Sequence, residues 1–122
     1  MTRFLVALAA IGLVTSVAVP APAADLEFFT GEGLNAQCSA KPDDTDFAAK
    51  QGRCVGYVVG VSDSEQAGQG AGSPPRVCYP ASVTATQMVA TVTAFLAAHS
   101  EKRPLAAQDL VIEALSAQYP CK

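Results

Sequence analysis

Apolar residues recur at intervals of three and four along most of this chain, and no segment carries a strong strand alternation. The longest such pattern, Phe47 to Asp63 (FAAKQGRCVGYVVGVSD), predicts a central helix that ends near Ser64 to Ala67. Turned at about 100° per residue, it sets Phe47, Cys54, Val58 and Val61 on one side and Gly52, Gly56 and Gly60 on the other, with Val55 and Val59 between them. Lys50, Arg53 and Tyr57 leave only a narrow polar edge, so this helix is expected in the middle of a bundle. A glycine inside a helix costs about 1 kcal/mol relative to alanine, and three at spacing four predict a second helix packed closely against the row. The row suits an intrachain crossing and a dimer seam equally well. Lys50, Arg53 and Asp63 bracket an apolar run far shorter than the ~20 residues that span a membrane.

The remaining pattern supplies three more helices. Thr30 is placed to cap a short one over Gly31 to Ser39, where Leu34 and Cys38 share a face. AKPDDTD follows as a connector whose last acids lie at the positive end of the central helix. After the central helix, Gly68 to Pro75 (GQGAGSPP) reads as the loop freest to move, either a plain connector or an element that inserts into a partner's cleft. Thr84 to Gln87 forms a capping box for a third helix reaching about His99, with Val83 and Met88 as a staple and Val92, Phe95 and Leu96 continuing the apolar face. Pro104 forbids continuation, and a fourth helix is expected from Ala106 to Gln118 with Leu110, Val111, Ala114 and Leu115 inward and Tyr119 extending the stripe. RVCYP allows one short extended piece. The fold class is all-α, a small four-helix bundle.

The first stretch is different in kind. MTRFLVALAAIGLVTSVAVPAPAA has one early charge at Arg3, an apolar run to about Val19 and small residues at Ala21 and Ala23. It reads as a signal peptide over residues 1–23, cleaved after Ala23 with Ala21 and Ala24 as neighbouring alternatives, ahead of a mature domain at residues 24–122. Removing it takes away one cation and no acid, so the formal charge of −3 becomes −4. A balance this mildly acidic has no basic stripe for phosphates, which argues against nucleic acid; it suits a basic partner surface as well as ordinary solubility.

Export also changes the reading of Cys38, Cys54, Cys78 and Cys121. An even count in a small exported domain implies two disulfides, and zinc would need short C-x-x-C pairs and more than the one histidine present. Helices three and four, joined by a short turn, should lie antiparallel, which brings Cys78 and Cys121 to the same end. Cys38 and Cys54 are then left to each other, whereas either other connectivity drags one partner across the bundle.

CVGYVVGVSD at Cys54 to Asp63, CYPASVTATQ at Cys78 to Gln87, HSEKRPLAAQDLVIEAL at His99 to Leu115 and YPC at Tyr119 to Cys121 occur in this order, together with all four cysteines. The combination resembles the Rap/Tai immunity proteins and covers nearly the whole mature chain. The resemblance implies a small helical periplasmic domain that binds and inhibits a cognate peptidoglycan amidase of a type VI secretion system. It also implies a possible homodimer that plugs the amidase cleft.

The residues themselves give little support for an enzyme: G-x-S-x-G, H-E-x-x-H and a phosphate-cradling loop are all missing, and GQGAGSPP lacks the lysine of such a loop. His99 with Glu101 needs no acid–base role at a helix end, where the dipole favours a protonated ring. No cofactor or metal is expected. A rival reading is a periplasmic stress protein or acid chaperone that exposes apolar surface for unfolded clients when its carboxylates protonate. For the immunity reading, the candidate partner-binding residues are Gln69, Arg76, Glu101, Lys102 and Arg103, with the two arginines as anchors by residue type.

Overall fold

A computed structural model describes residues 29–122, and the expected signal peptide lies outside the described residues. Four α-helices account for the architecture: α1 (Gly31–Cys38), α2 (Phe47–Gly70), α3 (Ala85–Ala98) and α4 (Ala107–Gln118), with a 3-10 turn at Ser100–Lys102 between the last two. Side-chain caps set two of the four starts. The Thr30 hydroxyl accepts from the Gly33 N–H at 3.3 Å. The Thr84 and Gln87 side chains close the predicted capping box, accepting reciprocally from the Gln87 N–H at 3.2 Å and the Thr84 N–H at 2.9 Å. Asp46 stands at the α2 N-cap but makes no capping bond, because its carboxylate pairs with Lys50 at 3.0 Å.

The core forms where the apolar stripes meet. Leu34 and Cys38 from α1, Cys54 and Val58 from α2, Val92 and Leu96 from α3, and Leu110, Val111, Ala114 and Leu115 from α4 are all buried. α4 is the most enclosed element, adding Ala107 and Ile112 to those four. Its start is fastened to the α1 start by an isolated antiparallel bridge, Thr30 with Ala106, in which Gly31 N–H donates to Leu105 O and Ala107 N–H to Phe29 O. The anticipated extended piece reduces to one bond, Cys78 N–H to Tyr119 O at 3.0 Å, and no strand occurs among the described residues.

Both disulfides follow the anticipated pairing: Cys38 with Cys54 and Cys78 with Cys121, each with Cα atoms 5.0 Å apart. The first pins α1 to α2, and the second closes the open end of the α3–α4 hairpin. Restricting the unfolded chain in this way stabilises by about 3 and about 4 kcal/mol respectively on loop-closure entropy.

α2 departs from expectation in two ways. It runs through Gly68 to Gly70, three residues into the anticipated loop, and stops at a Schellman motif. There Ser73 N–H donates to Gly68 O at 2.9 Å and Gly72 N–H to Gln69 O at 3.0 Å, with Gly72 at φ +95°. One glycine in the left-handed region therefore ends the helix, while Gly68 and Gly70 are carried within it. Nor is α2 enclosed. It buries one stripe, Cys54, Val58, Ser62 and Glu65, and turns its glycine row outward.

That row is not a helix crossing. A Cβ built at Gly52, Gly56 or Gly60 would meet nothing within 4 Å. Close approach falls instead in α1, where a Cβ on Gly31 would lie 2.3 Å from Leu110 Cδ1 and 3.0 Å from the Arg103 backbone. The bundle chose its tight contact at the crossing of α1 over the α4 start, because backbone bonds from Gly31 and Glu32 to Leu105 and Arg103 draw the chains together there.

Candidate functional site

The anticipated anchor Arg76 lies in the short segment that leaves α2, and its partner is Glu65, one of two buried polar residues of the described chain. The Arg76 Nε and Nη2 donate to Glu65 Oε2 at 3.0 and 2.6 Å, and the Arg76 backbone N–H donates to Oε1 at 3.1 Å. Three charge-assisted bonds to one enclosed carboxylate explain how it tolerates burial. The Arg76 hydrogen bonds hold the Glu65 carboxyl below the usual glutamate range, more strongly than burial raises it. The carboxylate in turn keeps the guanidinium above its ordinary value. With one edge fixed, 57% of the Arg76 side chain stays exposed, and its Nη1 edge makes no bond among the described residues.

Gln69, a second candidate, fastens the same segment by donating from Nε2 to Val77 O at 3.3 Å. Val77 is buried, so the path from Ser73 to Val77 is held at both its glutamate and its glutamine tie. Beside it opens a cavity of about 390 Å³ lined by Val61, Ser64, Ser73, Pro74, Arg76 and Ile112, among others. Polar groups thus ring an apolar patch.

Glu101, Lys102 and Arg103 occupy a different place, the turn between α3 and α4. Glu101 Oε1 lies 3.2 Å from His99 Nδ1, and its carboxyl is lowered by its own backbone N–H and then by that histidine. The His99 ring rests on Phe95 with centroids 4.4 Å apart, and the Lys102 Nζ lies 5.5 Å from the centroid of the same Phe95 ring while pairing with Glu113. Arg103 is turned toward the protein: its Nε donates to Leu96 O at 2.8 Å, satisfying a carbonyl of the last turn of α3. Glu32 pairs with it at 3.9 Å, leaving 21% of the side chain exposed. The two anticipated patches share no hydrogen bond, ion pair or cavity among the described residues.

Glu65 was the missed residue. It lies 11 positions after Cys54, which at 100° per residue is about 20° from the same direction, so the helical repeat places it on the buried stripe just ahead of the glycines. The Tyr79 hydroxyl is also enclosed, with no hydrogen-bond partner among the described residues, and burial pushes its phenol up. No group of three or more His, Cys, Asp or Glu residues among the described ones is arranged to hold a metal, and no described helix is long and apolar enough to cross a membrane.

The described domain is thus a doubly disulfide-bonded helical bundle with a braced arginine beside an open cavity. This chain belongs to the Rap1a immunity protein family, whose characteristic sequence matches residues 30–121. No curated protein and no solved structure gives a significant match. The family is one of immunity proteins, which bind a partner effector, and is not a family of enzymes.

Proposed function

We propose that the mature protein is a periplasmic inhibitor of a peptidoglycan amidase delivered by a type VI secretion system, and that it acts by occupation without chemistry of its own. The observation that carries this reading is the family match across residues 30–121, which includes every cysteine. Two intrachain bridges suit an oxidising compartment, and an N-terminal segment of signal-peptide composition, cleaved after Ala23, supplies the route. The contact surface combines Gln69 and Arg76 at the end of α2 with Glu101, Lys102 and Arg103 at the α3–α4 turn. A bidentate-capable guanidinium held by a buried acid is an anchor whose side-chain entropy is already restricted, which favours tight association. A homodimer belongs to the same reading.

The test is inhibition. The reading predicts an amidase gene beside this one, and its product is assayed on purified peptidoglycan with increasing mature protein. Loss of hydrolysis at about one inhibitor chain per enzyme is expected. Full activity at tenfold excess refutes the reading. Oxidised protein recovered from the periplasm should begin at residue 24, and N-terminal sequencing checks that part.

A further inference from the structure

The cavity at Arg76 is one end of a longer trough along the seam of α2 and α4. A neighbouring cavity of about 310 Å³ shares Val61, Ser64 and Gln108 with it and adds Gly56, Tyr57 and Gly60. A third of about 290 Å³ shares Tyr57 and Gln108 and continues to Phe29, Ala106 and Asp109. Two glycines of the row, Gly56 and Gly60, therefore border a trough, and their missing side chains keep it open, since a Cβ at either would project into free space.

Its charges define what would fill it. At one end the Nη1 edge of Arg76 is free to donate. At the other end Asp109 has no cation within ion-pair distance among the described residues, and it lies near enough to Tyr57 to add to the effect of burial in raising that phenol. Between them lie the apolar surfaces of Val61 and Ile112 and the amide of Gln108. A second copy of this chain is a separate occupant, because a two-fold dimer would set the Arg76 of one copy toward the Asp109 of the other; the light-scattering outcome below tells it apart. An extended chain, by contrast, advances about 3.3 Å per residue and can lay its backbone close over glycines.

We propose that the trough seats an extended segment of the effector, with a basic side chain at Asp109, an apolar side chain over Val61 and Ile112, and a main-chain carbonyl accepting from Arg76. The proposal rests on the inhibitor reading above and adds where, and by what chemistry, the partner is gripped. It makes the α2–α4 seam a receptor for the effector, in addition to any element of this protein that enters the amidase cleft.

The experiment titrates the neighbouring amidase into the oxidised mature protein by calorimetry, comparing wild type with Gly60→Leu, Gly52→Leu and Asp109→Asn. Gly52 lies in the same row but outside the trough, so its leucine variant controls for added helix-surface bulk. Thermal melts show that each variant is folded. The expected result is at least 100-fold weaker binding for Gly60→Leu, about tenfold weaker and less salt-dependent binding for Asp109→Asn, and unchanged binding for Gly52→Leu. Binding of Gly60→Leu within threefold of wild type overturns the trough while leaving the inhibitor reading standing. Equal losses for both leucine variants overturn it too, as does binding by Asp109→Asn that keeps the wild-type affinity and salt dependence. A dimer of wild type that becomes monomeric in Gly60→Leu by light scattering shows that a second copy sits there, which also overturns it. A wild type that fails to bind the amidase refutes the inhibitor reading and takes the trough proposal with it.

Discussion

Gly31 and Gly60 are both helical glycines, one at the first position of α1 and one in the interior of α2, and the protein uses them in opposite ways. Gly31 is buried at the crossing of α1 with the start of α4, where a single added carbon would collide with Leu110 and the Arg103 backbone. Gly60 is exposed on α2 with open space above it. One glycine is required by packing, and the other holds the surface open at some expense of helix stability. Spacing in the sequence suggests tight packing for Gly52, Gly56 and Gly60 and says nothing about Gly31; in the structure it is Gly31 that is tightly packed. Whether a glycine is spent on approach depends on which backbone is drawn toward it, and here the bridge between Thr30 and Ala106 draws the chain to Gly31.

The sharpest way to break this contrast is Gly31→Ala. The methyl group would sit 2.3 Å from Leu110 Cδ1, and Leu110 is only 1% exposed, so its tip has nowhere to rotate. The Arg103 Cα and O at 3.0 Å are backbone atoms held by the bond from Glu32 N–H. Overpacking of this kind destabilises by about 3 kcal/mol, far outweighing the helix-propensity gain of alanine. Chemical denaturation should show a lower midpoint with an unchanged slope. A variant as stable as wild type would mean that α1 can slide on α4.

The next effect tests the α2 end, the side of the molecule that is held by polar ties. Glu65→Gln keeps the shape but removes the charge that three Arg76 bonds address. Since Arg76 is more than half exposed, the loss is smaller than for a fully enclosed pair, about 2 kcal/mol. Acid should reproduce it. Arg76 lowers the Glu65 carboxyl below its ordinary value of 4.5, so the unfolded chain takes up the proton first as pH falls. The stabilisation is complete above that value and is lost as pH drops through the lower, folded one. A pH series of melts should therefore show a fall below about pH 4.5 that is reduced in Glu65→Gln. Parallel curves would assign the acid sensitivity to other carboxylates.

These two regions were legible in the sequence to different degrees, for physical reasons. The apolar stripes of α3 and α4 are continuous, and Thr84, Gln87 and Pro104 punctuate them, so Val92, Leu96, Leu110, Val111, Ala114 and Leu115 are buried as the pattern requires. The disulfides follow from that hairpin. The α2 end was not legible, because three alternating glycines read as a loop when only Gly72 has the left-handed backbone that stops a helix. Glu65 stands at the very end of the expected helix, where an acid reads as solvated, which hides its burial and with it the reason Arg76 is held in place. Arg103 is an anchor candidate by residue type, and its bond to Leu96 O depends on where α3 ends in space, which no local pattern reveals.

On the open side of the comparison, Gly56→Ala and Gly60→Ala should each stabilise the protein by about 1 kcal/mol. Neither methyl group meets another atom, so only the propensity gain remains. Melting temperature is the measurement, and the double variant should show the sum. A destabilised Gly60→Ala would mean that something covers the row in solution and would restore the close-packing expectation. Such an outcome in a monomer would contradict the open trough directly.

Gly33 lies between the two extremes and gives the smallest expected change. A Cβ there would be 2.8 Å from Phe29 Cε2, nearer than real carbons come, yet the obstacle is a ring that is 40% exposed and attached to the chain just before α1. That ring can swing outward, unlike the enclosed Leu110 tip. Doing so would break its tilted contact with Tyr57, at 5.1 Å between centroids, which is worth about 0.5–1.5 kcal/mol. Alanine in place of glycine returns about 1 kcal/mol of helix stability. The two effects are opposed and similar, so Gly33→Ala should leave the denaturation midpoint almost unchanged while altering the tyrosine fluorescence of Tyr57. If the loss instead approaches that of Gly31→Ala, the Phe29 ring is held as firmly as the core, and the end of the trough at Phe29 is a rigid wall.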